Sequence, residues 1–404
     1  MNRTQWWLSC LIVCAALQAS ESGLAQENQV PVLSGRARIT VLTCSPGPDL
    51  YSVFGHSAIR VEDEYRGQRL DEVYNYGTFE FDEDFYFKFV KGHLDYKLSR
   101  TDFGTFQQEY LYTGRGIIEQ ELRLDSADRQ RLYALLIENY KPENRVYRYD
   151  YFYDNCSSRI GEIICKSAQG DIKLTYVSQE PYTFRGAIDN YLQHMPWSDL
   201  GIDIALGLPC DRVMDSGQDM FLPDSLLMEL NFATYKQGGL VSRPVEVIPQ
   251  EYYPQAANKG TPMQVFLLVL LIQVVWQRFA PKQPMVTLFD RLLLFVTGII
   301  GVLLAFLWFG TDHQAAAWNL NLLWANPLNL CIAFLPSGAM AGWAYRYFRF
   351  FLIALVILLA GWVFFPQDLH EALLPLVAGM VWLSLRVIRI GWLRREMKKS
   401  DVGN

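Results

Sequence analysis

The stretch "YDYFYDNCSSRIGEIICK", Tyr149 to Lys166, decides how this chain is read. An alternating aromatic run ends in Asp154-Asn155-Cys156, where a helical pattern begins. Ile160, Ile163 and Ile164 follow Cys156 at +4, +7 and +8, so all four share one helix face. The spacing places Cys156 in the first turn of a helix whose apolar side packs inward. A helix N-terminus carries free N–H groups and a positive partial charge, which favours thiolate over thiol. Three readings of Cys156 stand open here: a packing residue, half of a disulfide, or a nucleophile.

A nucleophilic cysteine needs a histidine within hydrogen-bond reach. Residues 30–255 contain three: His56, His93 and His194. His56 opens the strand pattern "HSAIRVED" directly after Gly55, with Ser57, Ile59 and Val61 on one face and Ala58 and Arg60 on the other. The next strand pattern, "EVYNYGTFEF", offers Asn75 as an amide that orients the imidazole, and Asp154 is its rival. Asn155 and the backbone N–H of Cys156 are candidate oxyanion donors, because such donors must converge on the developing negative oxygen.

The disulfide reading has its own arithmetic. Cys44, Cys156, Cys165 and Cys210 lie in the same part of the chain, and an even count permits two bridges. Cys156 and Cys165 sit about 13 Å apart on one helix, too far to join. Cys165–Cys210 stays open, and Cys44 is a rival nucleophile. No Cys or His spacing fits a structural zinc site, so neither a metal nor another cofactor is expected.

Composition divides the 404 residues. Arg3, "WWLSCLIVCAAL" and Gly23-Leu24-Ala25 form the three regions of a secretory signal, with cleavage expected after Ala25 or, second, after Ala19. Residues 30–255 have soluble-domain character and are expected to be exported. The net charge of −6 gives no reason to expect nucleic acid. Apolar stretches at 263–280, 288–309, 327–344, 350–365 and 372–390 each approach the ~20 residues that cross a bilayer. Lys and Arg fill alternate loops: Arg278, Lys282 and Arg291, then Arg346 and Arg349, then the basic end from Arg386 to Lys399. Loops 310–326 and 366–371 carry none. The alternation predicts five spans across 260–392, an outward domain before them and an inward basic tail at 393–404.

Loop 310–326 then faces the same side as the soluble domain. Its Asp312, His313, Asn319 and Asn321 are candidates for binding a phospholipid headgroup, against a plainer interfacial belt built around Trp318 and Trp324. Elsewhere, "ARITVLTC" and "GIIEQELRL" read as strands, and "DEDFYFKFVKG" as a short helix. A helix capped by Thr101 follows, then an amphipathic helix over 126–140 capped by Asp125 or Ser126. "RVYRYDYFYD" reads as strand, "EPYTFRGAIDNYLQHM" as helix, and 196–255 as loop-rich.

"TVLTCSPGPDLYSVFGHSAIRV", "VYNYGTFEF" and "YDYFYDNCSSR" together resemble the exported domain of the Lnb-type lipoprotein N-acyltransferases. "MFLPDSLL" resembles that family's pre-membrane segment, and "TDHQAAAWNLNLLWANPLNL" its first outward loop. The exported part is also similar to the permuted papain-like superfamily, which includes lecithin:retinol acyltransferase. There the His strand precedes the Asn-Cys helix start, as His56 precedes Asn155-Cys156 here. The resemblance implies an α+β fold: a papain-like antiparallel sheet with a Cys-bearing helix, followed by five membrane helices. It places the nucleophile on Cys156, the base on His56 and the third polar group on Asn75, which is a histidine in some relatives. Arg159 matches the pattern without an assigned role.

The implied reaction moves an acyl chain from a membrane phospholipid, through a cysteine thioester, to the α-amine of a lipoprotein diacylglyceryl-cysteine. The implied place is a bacterial inner membrane, with the catalytic domain periplasmic and the C-terminus cytoplasmic. Two other classes share some of these residues. One is a membrane-tethered thiol amidase or peptidase acting on cell-wall peptide. The other is a non-enzymatic sensor or anchor with Cys156 in a disulfide.

Overall fold

The computed structural model describes residues 30–65, 67–79, 84–93, 95–175, 183–253, 260–279, 286–335 and 343–402. The expected signal segment lies outside them. The first half is built on strands β1 (Arg38–Cys44), β2 (His56–Tyr65), β3 (Gln68–Thr78), β4 (Asp95–Asp102), β5 (Ile117–Glu121), β6 (Val146–Arg148) and, much later in the chain, β10 (Val245–Ile248). They form one antiparallel sheet in the order β10-β5-β1-β2-β3-β4-β6. Three two-residue strands, β7 (Ile172–Lys173), β8 (Thr234–Tyr235) and β9 (Gly238–Gly239), make a small second sheet.

Period-two alternation gives the large sheet two buried faces. Ile39, Val41, Ile59, Val61, Tyr74 and Tyr76 pack on one side against helices α3 (Ser126–Tyr140), α4 (Cys156–Ser167) and α7 (Pro223–Phe232). Leu42, Cys44, Ala58 and Val73 pack on the other against helix α2 (Phe103–Thr113). Arg60 lies on that second side, over the Phe103 ring and paired with Asp71 at 2.7 Å. The expected faces of β2 are the observed ones.

Helix α1 (Phe85–Lys91) joins β3 to β4. Asp102 rather than Thr101 caps α2, accepting from Thr105 N–H. The segment after β6 leaves the sheet at Arg148, because the Asp150 carboxylate accepts from the N–H groups of Phe152 and Tyr153 and closes a turn. Residues 196–255 are more ordered than their sequence suggests. They hold α6 (Pro196–Ala205) and α7, each with proline in its first turn, where the missing N–H costs nothing. Helix α5 (Phe184–Leu192) precedes them.

Among the described residues, the second half holds four helices long and apolar enough to cross a bilayer: α8 (Pro262–Phe279), α9 (Leu288–Phe309), α11 (Trp343–Ala360) and α12 (Leu373–Val402). In the expected span at 327–344 the helix stops at Phe334, Leu335 is extended, and 336–342 lie outside the described residues. A 3₁₀ turn (Leu320–Leu323) and a short helix, α10 (Leu328–Phe334), lie antiparallel along α9. Two glycines of α9 permit that contact: a Cβ on Gly301 would stand 2.0 Å from Ala325 O, and one on Gly298 would stand 2.3 Å from Leu330 N. At the far end Arg291 donates to Ala333 O at 2.6 Å. Backbone freed by the break needs partners inside an apolar medium. Asn329 supplies one, donating to Trp324 O, and is itself held by side chains, donating to Thr297 Oγ1 and accepting from Tyr347 Oη. The expected span from 350 lies in a helix described from Trp343, and helix α12 continues past its apolar part, Leu373–Leu393, through the basic end to Val402.

The two halves meet through a buried polar junction. Arg185, 1% exposed, holds Asp203 and Asp211 at 2.8 Å each. Asn319 Nδ2 donates to Ile204 O and Ala205 O, and Asn321 Nδ2 to Asp203 O and Ile204 O. These bonds satisfy carbonyls at the C-terminus of α6, which no intrahelical N–H can reach. Asn319 and Asn321 are 2% and 1% exposed, with their amides spent on this capping. Their expected service to a lipid headgroup is corrected accordingly. Gly207 touches the same loop so closely that a Cβ would stand 1.9 Å from Ala317 O.

Candidate active site

Helix α4 begins where the sequence places it, and its start is strongly fixed. Asn155 is its N-cap: Oδ1 accepts from Ser157 N–H and Ser158 N–H, both at 2.9 Å. Ser158 Oγ returns the bond to Asn155 N–H at 2.8 Å, completing a capping box. Asn155 Nδ2 donates to Tyr151 O and Phe221 O. Every hydrogen-bonding position of that amide is taken, so the expected oxyanion role for the Asn155 side chain is replaced by a capping one. Asp154 is also engaged, gripping Arg159 at 2.5 and 2.7 Å while that guanidinium lies 3.6 Å over the Tyr147 ring. Asp154 therefore does not orient His56. Replacing Asn155 with alanine is expected to cost about 2 kcal/mol, combining a lost cap with two abandoned carbonyls. A thermal unfolding midpoint unchanged from wild type would contradict this.

His56, Asn75 and Cys156 come together at the end of the sheet. Asn75 Oδ1 lies 2.6 Å from His56 Nε2, so the amide oxygen accepts from the Nε2–H and leaves Nδ1 for the thiol. Ser57 faces α4, its hydroxyl 2.9 Å from Ser157 Oγ, whereas His56 is paired in the sheet with Cys44. The imidazole and the helix meet beside Gly77. A Cβ there would lie 3.5 Å from Cys156 Cβ and 3.9 Å from both His56 Cε1 and Tyr149 Cε2. Its φ of +86° is a further reason for glycine.

The thiol is electrostatically prepared. Burial pushes Cys156 up, but the neighbouring His56 and hydrogen bonds from His56, Ser57 N–H and Ser157 outweigh it and bring the thiol down to about 7. Burial pushes His56 down, and the thiolate and Asn75 more than reverse that. Each partner thus favours the charged form of the other. Cys44 stands in contrast: burial pushes it up to about 12. Cys44, Cys156, Cys165, Cys210 and Cys331 are all free thiols, which corrects the expected opening for a Cys165–Cys210 bridge.

Such a pair can attack an acyl carbonyl. Of the other histidines, His93 pairs with Asp312, and His194 lies in the turn between α5 and α6. Asp312 also reaches Arg148 at 3.1 Å, and His313 packs against Gly92. Both residues thus dock loop 310–313 onto the sheet domain. Reading residues by chemistry missed Ser57, Ser157 and Gly77. A glycine inside the strand pattern "VYNYGTF" was the available signal of a close approach.

Fold and site define a class: an α+β antiparallel-sheet domain with a Cys–His–Asn cluster, joined to a helical membrane domain. The chain belongs to the Lnb family. Its residues 33–190 match the Lnb N-terminal periplasmic domain, and residues 255–396 match the Lnb transmembrane domain. Family membership points to an enzyme held at a membrane, with its N-terminal domain of the periplasmic type. No curated protein and no solved structure matches the chain.

Proposed function

We propose that this protein is a lipoprotein N-acyltransferase. The Cys156 thiolate attacks an ester carbonyl of a membrane phospholipid. The carbon–oxygen ester bond breaks, the alkoxide takes the proton from the His56 imidazolium, and lysophospholipid leaves. The amine of a diacylglyceryl-cysteine then attacks the thioester, neutral His56 takes the amine proton, and the thiolate departs. Asn75 holds the imidazole throughout, and no metal or nucleotide enters the balance.

The observation that carries this reading is the meeting of His56 and Cys156 at Gly77, with the thiol lowered to about 7, in a domain bonded to membrane helices. The antiparallel packing of Leu320–Phe334 on α9 supports counting that segment as a third, broken crossing, which makes five in all with the C-terminus on the cytoplasmic side. The inner membrane is the compartment that supplies both substrates.

The test is intact mass spectrometry of protein incubated with phospholipid carrying labelled acyl chains. The expected result is one labelled acyl chain on Cys156, cleared by a diacylglyceryl-cysteine peptide that becomes N-acylated. An N-acylated product carrying only the peptide's own ester chain would overturn the phospholipid as donor. A wild-type protein that is never acylated, yet cleaves cell-wall peptide, would overturn acyl transfer.

A further inference from the structure

We propose that helix α1 is an interfacial element: its exposed face lies in the lipid headgroup layer beside the membrane domain and opens the thiol site to that leaflet. The first observation is position. Span α9 ends at Phe309, and three residues later Asp312 N–H donates to the carbonyl of Lys91, the last residue of α1, at 3.0 Å. Three residues reach at most about 10 Å, which is the depth of the interfacial region. Asp312 also pairs with His93 and Arg148, and Gly92 seats on His313, so α1 is tied to that level at its C-terminus.

The second observation is chemistry. Phe87 and Val90 are three apart and share a helix face; they are 63% and 46% exposed. Lys91 sits beside them, with its ammonium 4.6 Å from the Phe87 ring centre. Apolar side chains with flanking lysine suit a surface of acyl chains below phosphates. The end of α9 is likewise aromatic, with Phe309 and Trp318 exposed and the Trp308 ring stacked on Phe309 and tilted against Trp318. The exposed face of α1 therefore adjoins the end of a helix long and apolar enough to cross a bilayer.

The third observation links the helix to the thiol. Phe79, shortly before α1, packs on Tyr96 at 5.2 Å, Tyr96 stacks on Tyr149 at 4.1 Å, and Tyr149 reaches Gly77 beside Cys156 and His56. This unbroken aromatic wall runs from the α1 end of β3 to the nucleophile, and an acyl chain lying along it stays out of water. The use of the wall by a substrate rests on the acyl-transfer reading; the lipid contact of α1 does not.

The experiment places the photo-crosslinker p-benzoylphenylalanine at position 87 or at Val32, with the full chain in phosphatidylglycerol–phosphatidylethanolamine vesicles. Val32 is exposed near the opposite end of β2, where Ser34 bonds Asp63, about 23 Å along the strand from His56. The expected result is a phospholipid adduct at position 87 and none at position 32. No adduct at 87, or equal adducts at both, overturns the proposal. The double variant Phe87→Glu/Val90→Glu is expected to be acylated at least tenfold more slowly from vesicle lipid and at the wild-type rate by p-nitrophenyl acetate in solution. Equal loss on both substrates would mean damage to the site and would overturn the interfacial role. A wild type acylated only by the soluble ester would sink the acyl-transfer reading, while the crosslinks would still decide the position of α1.

Discussion

Cys156→Ala is expected to remove acyl-enzyme formation and to lower turnover by ~10⁴-fold or more, as loss of a covalent nucleophile does. The folded protein is expected to survive, because α4 is held by the Asn155 cap and by Ile160, Ile163 and Ile164 rather than by the sulfur. Cys44→Ala is the informative companion. Cys44 also lies at the His56 end of the sheet, but its thiol is buried on the α2 side and pushed up to about 12. Its removal is expected to leave the acyl adduct on Cys156 in place. Full turnover in Cys156→Ala with an inactive Cys44→Ala would transfer the nucleophile to Cys44.

His56→Ala is expected to have the second largest effect, and its sign follows from the charges. With the imidazolium gone, burial is opposed only by Ser57 N–H and Ser157, so the thiol rises from about 7. Return to an ordinary thiol range would cut the thiolate fraction at neutral pH, and the alkylation rate with it, by about 50-fold. Turnover is expected to fall further, since the leaving alkoxide and attacking amine also lose their proton partner. The check is the rate of iodoacetamide alkylation from pH 5 to 10. Wild type should rise around pH 7 and the variant about two units higher. Coincident curves would mean that His56 does not set the thiol's charge state.

The sequence made the local devices of this site readable and the convergent ones less so. The +4, +7, +8 isoleucines placed Cys156 at a helix start because helical periodicity is local, and the alternation in β2 assigned both its faces for the same reason. The choice of His56 and Asn75 followed from polarity and strand order. Asn155 was harder to judge: its type suits both a cap and an oxyanion donor, and only the carbonyls of Tyr151 and Phe221 decide between them. "RVYRYDYFYD" alternates like a strand but pairs only over Val146–Arg148, because the Asp150 turn ends the extension. Helices α6 and α7 were hidden for another reason. The groups that cap the C-terminus of α6 come from a loop more than 100 residues later, so its own sequence does not carry them.

The junction around Arg185 has a consequence for biosynthesis. Leu206 O waits for an amide that is synthesised 161 residues later, on Gln367, and Asp211 waits for the N–H of Asp368. During translation, α5 and α6 leave the ribosome while both partner loops are still unmade. The sheet can close early, but α6 keeps open carbonyl ends until most of the helices have been threaded through the bilayer. Completion of this clasp therefore reports correct insertion, and a chain stalled before Gln367 should present α5–α6 to proteases that spare the finished protein.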